Sequence, residues 1–273
     1  MNISVHPLAG NGRISGMPSC EQHEPAAAPR TGSVMPSPMP VDYDSDPQRY
    51  AANQEATRRF SARGDVHAGV ARRLADAGCR AAVDIGGGNG TLARFLADEG
   101  VRAVVVDQAA YVADAPAPAV RASALRLPFR DESFDAAAAL WMLYHLADPV
   151  VALLEARRVL RPGGLMAVAA PSRYNDPELG DVLPGWGEPS SFDAENGVGM
   201  LGEVFEVVDV ERWDEPMVHL PGRADLELFL RGRGLSVADA AARAARFGFP
   251  LHVTKRGMVA WCRKPDGQPT SAH

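Results

Sequence analysis

Three features of the sequence predict an α/β fold built on a doubly wound, mostly parallel sheet. Short apolar runs suited to buried strands alternate along the chain with segments of helical periodicity. A glycine-rich turn, Gly86-Gly87-Gly88-Asn89-Gly90, follows the first of these runs and opens a helical segment. An acidic residue, Asp107, closes the next run, 21 residues after Gly86, the distance that carries a βαβ unit through one helix and back to a neighbouring strand tip.

Composition narrows the field. At 273 residues the chain has room for one large domain plus a cap and a tail, and 46% hydrophobic with 23% charged residues is ordinary globular usage. A formal net charge of −6 argues against a nucleic-acid partner, whose phosphates demand a basic face. Cys20, Cys79 and Cys262 lie far apart and form no CxxC or Cys/His pair, which points away from a zinc site and a disulfide framework and towards a reducing compartment. No apolar run approaches bilayer length, and the N-terminus lacks the charged-then-apolar order of a signal peptide. The expectation is a cytoplasmic protein with no membrane partner and no metal.

Taken in order, residues 1–42 read as a disordered tail, with prolines scattered among Gly, Ser and Ala. The domain proper is expected over 43–264, with a polar tail over 265–273. Asp46-Pro47 resembles a helix start, a capping carboxylate followed by proline in the first turn. Tyr50, Phe60, Val66, Val70 and Leu74 mark two lid helices across 46–77, broken near Gly64. Gly78 ends the second, and 81–85 is the first strand. Leu92, Phe95 and Leu96 mark one face of the next helix, ending at Gly100, and 101–106 is a continuous strand. Pro128 forbids a central strand, and Asp131 with Ser133 makes a turn before a buried strand over 136–142.

Asp148-Pro149 again reads as cap plus first turn, for a helix carrying Val150, Leu153, Leu154, Val159 and Leu160. That helix stops at Pro162-Gly163-Gly164, before a strand over 165–170. Residues 172–193 form a long loop anchored by Trp186 and Phe192, a length that usually carries function. A short helix over 195–201, a strand over 205–210, helices over 225–230 and 236–247 (Ser236 as cap) and a last strand over 258–262 complete the domain.

The turn has its own chemistry. Gly86, Gly88 and Gly90 permit a tight path that brings backbone close to a ligand, and the following helix directs free N–H groups at it. Asp107 at the neighbouring strand tip suits both hydroxyls of a ribose. This is a nucleotide-type binding loop.

Together with Leu127-Pro128-Phe129, Ser133-Phe134-Asp135 and the Arg158-Val159-Leu160-Arg161-Pro162-Gly163-Gly164 turn, in that order, the loop and Asp107 resemble the class I S-adenosylmethionine-dependent methyltransferases, specifically their small-molecule branch. The resemblance covers 80–170 strongly and 43–264 in outline. It implies a Rossmann-like, seven-stranded sheet with helices on both faces and the last strand antiparallel. It also implies S-adenosyl-L-methionine as cofactor and S-adenosyl-L-homocysteine as its product.

By the same resemblance, Asp84 with Gly86, Gly87, Gly88 and Gly90 would hold the methionine part, Asp107 the ribose hydroxyls, and Gln108 would lie under the adenine. The Ala122-Ser123-Ala124-Leu125 turn would contact the adenine edge, through Ser123, Ala124 and Leu125. Members of the family usually carry aspartate where Ser123 stands, so the adenine contact here would be uncharged or made by backbone. Trp141, Met142 and His145 would lie next to the sulfonium. The competing dinucleotide fingerprint needs GxGxxG spacing, whereas Thr91 occupies the sixth position here. Asp84 would repel a pyrophosphate but suits a zwitterion.

The expected function is methyl transfer to a small-molecule acceptor. Alternatives are an RNA or protein methyltransferase of the same fold and a non-catalytic module binding the same donor. His145 is the candidate general base, because imidazole titrates near neutrality. Tyr50 could close over the cofactor or meet the acceptor, and Tyr144, His219, His252, Trp186, Phe192, Trp213 and Met217 are acceptor-side or structural residues. Heavy Ala, Arg, Gly and Pro usage, with Lys255 and Lys264 as the only lysines, suggests a GC-rich bacterial genome and a secondary-metabolite tailoring role.

Overall fold

The computed structural model describes residues 46–62, 66–116 and 118–266. The expected tail over 1–42, the break near Gly64 and residues 267–273 lie outside the described residues. Two helices lead in, α1 (Pro47–Phe60) and α2 (His67–Asp76). The Asp46 carboxylate accepts from the Arg49 N–H at 3.1 Å and Pro47 fills the first turn, as the sequence predicts. There follow β1 (Ala81–Ile85), α3 (Thr91–Asp98), β2 (Arg102–Asp107), β3 (Ala119–Arg121), β4 (Phe134–Leu140), α4 (Pro149–Val159), β5 (Leu160–Pro171), α5 (Gly197–Val204), β6 (Glu206–Leu220), α6 (Arg223–Gly232), α7 (Val237–Ala244) and β7 (Leu251–Arg263). The Asp148 and Ser236 side chains cap α4 and α7.

The seven strands form one sheet in the order β3-β2-β1-β4-β5-β7-β6. β1 to β5 pair in parallel, and β7 runs antiparallel to both of its neighbours. This is the Rossmann-like, seven-stranded arrangement with an antiparallel last strand. Strand residues alternate between faces, and β4 shows the consequence. Ala137 and Ala139 pack with Leu153 and Ala156 of α4 and Leu201 of α5. Ala136, Ala138 and Leu140 pack with Leu74 of α2 and Leu92 and Leu96 of α3. A third cluster joins Ala56 and Phe60 of α1 to Leu226, Phe229 and Leu230 of α6, Val218 of β6 and Val253 of β7.

Several expectations are corrected. Phe95 does not share the buried face of Leu92 and Leu96 but is 39% exposed, and Leu154 is 49% exposed. α4 gives way directly to β5, with Leu160 already paired to Phe134. The short edge strand β3 was absent from the sequence reading, since three residues carry no period. β6 and β7 run far beyond the expected 205–210 and 258–262. Alternating charge on an exposed edge hides β6, and Pro216, which reads as a breaker, sits at a register shift, a place where an edge strand tolerates proline. In the 172–193 segment Phe192 is fully buried, whereas Trp186 is an anchor only at the surface, 36% exposed.

Phe192 is the pin of that segment, and Gly197 at the start of α5 has no room for a Cβ against its ring. Phe192→Ala is expected to cost about 3–5 kcal/mol of stability, the usual range for emptying a buried phenylalanine site, measured as a lowered urea midpoint with an unchanged slope.

Candidate active site

The carboxyl ends of the parallel strands open into a cavity of about 1080 Å³. Crevices of this kind are where open α/β sheets bind ligands, and the volume exceeds what one small ligand usually fills. Its floor is the glycine turn. Gly86 has φ 66°, and a Cβ there would stand 2.7 Å from the Met142 side chain. A Cβ on Gly87 would collide with the Asp84 carboxylate. The turn is tied to the neighbouring strand by Gly86 N–H donating to the Val106 carbonyl at 2.7 Å.

Asp84 lies under this turn, 2% exposed, and its Oδ2 has no hydrogen-bond partner among the described residues. Burial pushes its pKa up to about 7; the nearby Asp107 adds to the rise and His67, at the start of α2, opposes it. Asp107 is held by backbone: one oxygen accepts from Gly88 N–H at 2.9 Å, the other from Ala109 N–H at 2.9 Å. These two bonds fix the aim of the carboxylate.

Above the turn, Tyr50 of α1 stacks on Tyr111 at 4.5 Å between ring centroids and 7° between planes, and the Tyr50 hydroxyl reaches towards Gly88. Trp141, just past β4, is held at φ 61° with its N–H on the Ala169 carbonyl, and its ring meets Trp213 edge-on at 6.0 Å. A non-glycine residue in that region is strained, and such strain collects at functional sites. His145 follows in a short 3₁₀ turn, its ring tilted against Tyr144 at 4.4 Å.

Of the residues singled out from sequence, Tyr50, Asp84, Gly86, Gly87, Gly88, Asp107, Gln108, Ala124, Trp141, Met142 and His145 border this one cavity. Gly90, Ser123 and Leu125 do not. Gly90 is instead the left-handed N-cap of α3. The Ser123 hydroxyl is occupied within its own turn, accepting from Leu125 N–H at 3.2 Å, and Leu125 is 42% exposed. Trp186, Trp213 and Met217 line the same cavity. His219 and His252 face each other across β6 and β7, 4.7 Å apart, outside the cavity lining. Tyr111, His67, Asp176, Arg233 and Lys255 were missed as site residues; a large aromatic four residues after the acidic strand tip was the one local signal, for Tyr111.

Residues 83–168 match the family model described as a methyltransferase domain. They are a domain of the class I, S-adenosylmethionine-dependent methyltransferase family. An O-methyltransferase of Aspergillus nomiae is 32% identical over 149 residues, 50% of this chain and 64% of that protein. The 27-O-demethylrifamycin SV methyltransferase of Amycolatopsis mediterranei is 32% identical over 178 residues, 62% of this chain and 60% of that one. The chain thus spans under two thirds of the length of these relatives. The solved structure of the [4+2]-cyclase SpnF shares the fold, with a TM-score of 0.59 at 20% identity over 86% of this chain and all of that one.

The cofactor of this domain family is S-adenosylmethionine, and the residues present fit it. The orphaned Asp84 oxygen suits its ammonium, and the doubly anchored Asp107 suits its ribose. No helix among the described residues is long and apolar enough to cross a membrane, and no cluster of three or more metal-ligating side chains occurs among them.

An ammonium beside Asp84 favours the carboxylate, so binding lowers a pKa that starts near 7. Affinity for S-adenosylhomocysteine is therefore expected to rise with pH from 5.5 and level off above 7, by up to about tenfold per unit on the rising limb. Titration calorimetry across that window checks it, and Asp84→Asn should flatten the profile.

Proposed function

We propose that the protein transfers a methyl group from S-adenosylmethionine to a small-molecule acceptor, with an oxygen nucleophile favoured. The observation that carries this reading is the pair of carboxylates on adjacent strand tips, one buried without a partner and one locked by backbone, flanking a glycine turn in a cavity larger than the donor needs. The two relatives, named for O-methylation of their own substrates, support the choice of oxygen. A tailoring step in secondary metabolism is consistent with the rifamycin relative, and a cavity of this volume in a chain of net charge −6 speaks for a small molecule over a nucleic acid.

The donor, when bound, supplies a methyl group on a sulfonium already disposed to leave. The chain's part is alignment and exclusion of water. Asp84 neutralises the ammonium and Asp107 accepts from the ribose hydroxyls. Tyr50, stacked on Tyr111 beside Gly88, acts as a lid on the donor, and Gln108 lies beside the adenine. Since Ser123 is bonded within its turn, the adenine edge is met by backbone near Ala122 and Ala124. His145 serves as base for the acceptor hydroxyl, and the strained Trp141 shapes the wall between the two ligands.

Two outcomes are expected. Asp107→Ala weakens S-adenosylhomocysteine binding by about 1–3 kcal/mol, the cost of losing a charged acceptor; unchanged affinity removes the ribose role, and preference for a nicotinamide or flavin over this ligand removes the whole reading. His145→Ala lowers the methylation rate about 10²–10⁴-fold with loss of its acid limb, followed by radiolabelled methyl incorporation. A loss below about tenfold with the pH profile intact would leave His145 a shaping residue.

A further inference from the structure

One pair of chemistry-bearing side chains lies outside the cavity and belongs to no part of the methyl-transfer reading. His219 on β6 and His252 on β7 stand directly opposite each other in the antiparallel register. Their chain neighbours Val218, Leu220 and Val253 are buried in the cluster that braces these strands against α1 and α6. Side chains alternate between the faces of a strand, so both histidines point away from that cluster, and both are exposed. The two rings are 4.7 Å apart between centroids, with their planes tilted by 44°. Among the described residues neither imidazole takes part in a hydrogen bond or an ion pair, so the ring nitrogens are left to water or to a ligand.

Two protonated rings placed directly opposite repel each other. Two neutral rings instead present a lone pair each to the same space. Neutral imidazole is the commonest protein ligand for zinc, copper and nickel. The spacing suits such an ion. Metal–nitrogen bonds of about 2.0–2.1 Å, meeting at angles from square-planar to tetrahedral, set two imidazole centroids roughly 4.5–5.1 Å apart. The observed 4.7 Å falls inside that span. Because both rings are exposed, each can turn to aim a nitrogen at a common point without disturbing the core beneath.

We propose that His219 and His252 together bind one late first-row divalent cation on the outer face of the β6–β7 pair, Cu²⁺ more tightly than Ni²⁺ or Zn²⁺. Water completes the coordination, in contrast to the four protein ligands of a closed structural zinc site. Mg²⁺ and Ca²⁺, which take oxygen ligands, do not compete. The two histidines are 33 residues apart in the chain, and only the strand pairing brings them together. The ion therefore binds the folded chain in preference to the unfolded one and stabilises it. This site is independent of the methyl-transfer reading, and neither result bears on the other.

The test is calorimetric titration of Ni²⁺ into the full chain and into His219→Gln, His252→Gln and the double variant. The other five histidines, His6, His23, His67, His145 and His273, are common to all four proteins, so the differences report this pair. Each single variant is expected to bind at least about tenfold more weakly, the scale on which disturbing a metal's ligand set lowers affinity. The double variant should bind no more weakly than either single one, because a chelate is lost with its first member. Saturating Ni²⁺ should also raise the melting temperature of the unaltered chain more than that of either single variant. Absence of saturable Ni²⁺ binding by the unaltered chain, displacement of Ni²⁺ by excess Mg²⁺, unchanged affinity in either single variant, or two independent losses that add in the double variant would each overturn the inference. The first two are read on the unaltered chain and decide the matter even if a variant fails to fold.

Discussion

The site depends on a carboxylate that the fold keeps from water and does not pair. Asp84 sits at the end of β1 beneath Gly87, and the absence of a side chain on Gly87 is what lets the turn close over it. A buried ionised carboxylate without a partner is costly, and a protein normally answers by protonating it. The pKa near 7 records that conflict in the free chain. On the proposed reading the conflict is also the source of selectivity. A ligand bringing an ammonium to this point relieves it, whereas a pyrophosphate aggravates it. Asp107, one strand away, contributes to the same field and is prevented from turning aside by two backbone N–H groups. Register sets the pair, since β1 and β2 run parallel with Asp84 opposite Val105.

The other half of the cavity is built on a different device. β7 pairs with β5 only as far as Gly257 opposite Pro171. Residues before Gly257 therefore project past the carboxyl ends of the parallel strands, still paired to β6. That overshoot carries Lys255 and Arg256 on one strand and Trp213, Glu215 and Met217 on the other into the cavity wall. Strands braced by the α1–α6–α7 cluster hold side chains more firmly than loops do. The segment after β5 is then closed onto this arm by Asp176, whose two ion pairs reach the C-cap of α6 and β7 at once.

What the sequence disclosed follows the range of the interactions. β1, the glycine turn, Asp107 and the capped helices α1, α4 and α7 were legible because a few consecutive residues decide each of them. The outward turn of Phe95 and Leu154 was not, because both fit the helical period within one residue and only tertiary packing chooses the face. The length of β6 was hidden by its exposed, charged edge and by Pro216. Ser123 was singled out by position in a familial pattern, but its hydroxyl is bonded locally. Lys255, Arg233 and Asp176 lie 22 or more residues from one another in the chain, so their meeting is a property of topology that no local pattern encodes. Their one trace was the scarcity of lysine.

The two halves of the cavity present different groups. The floor near the glycine turn carries Asp84 and Asp107, and the far wall carries Arg233 and Lys255 paired to Asp176. On the proposed reading a donor with a cationic centre is drawn to the carboxylates of the floor. The same fold serves a [4+2]-cyclase, so the architecture itself dictates no reaction. The reaction follows from which groups face the space above the strand tips, and on the proposed reading the deciding ones are the two carboxylates of the floor.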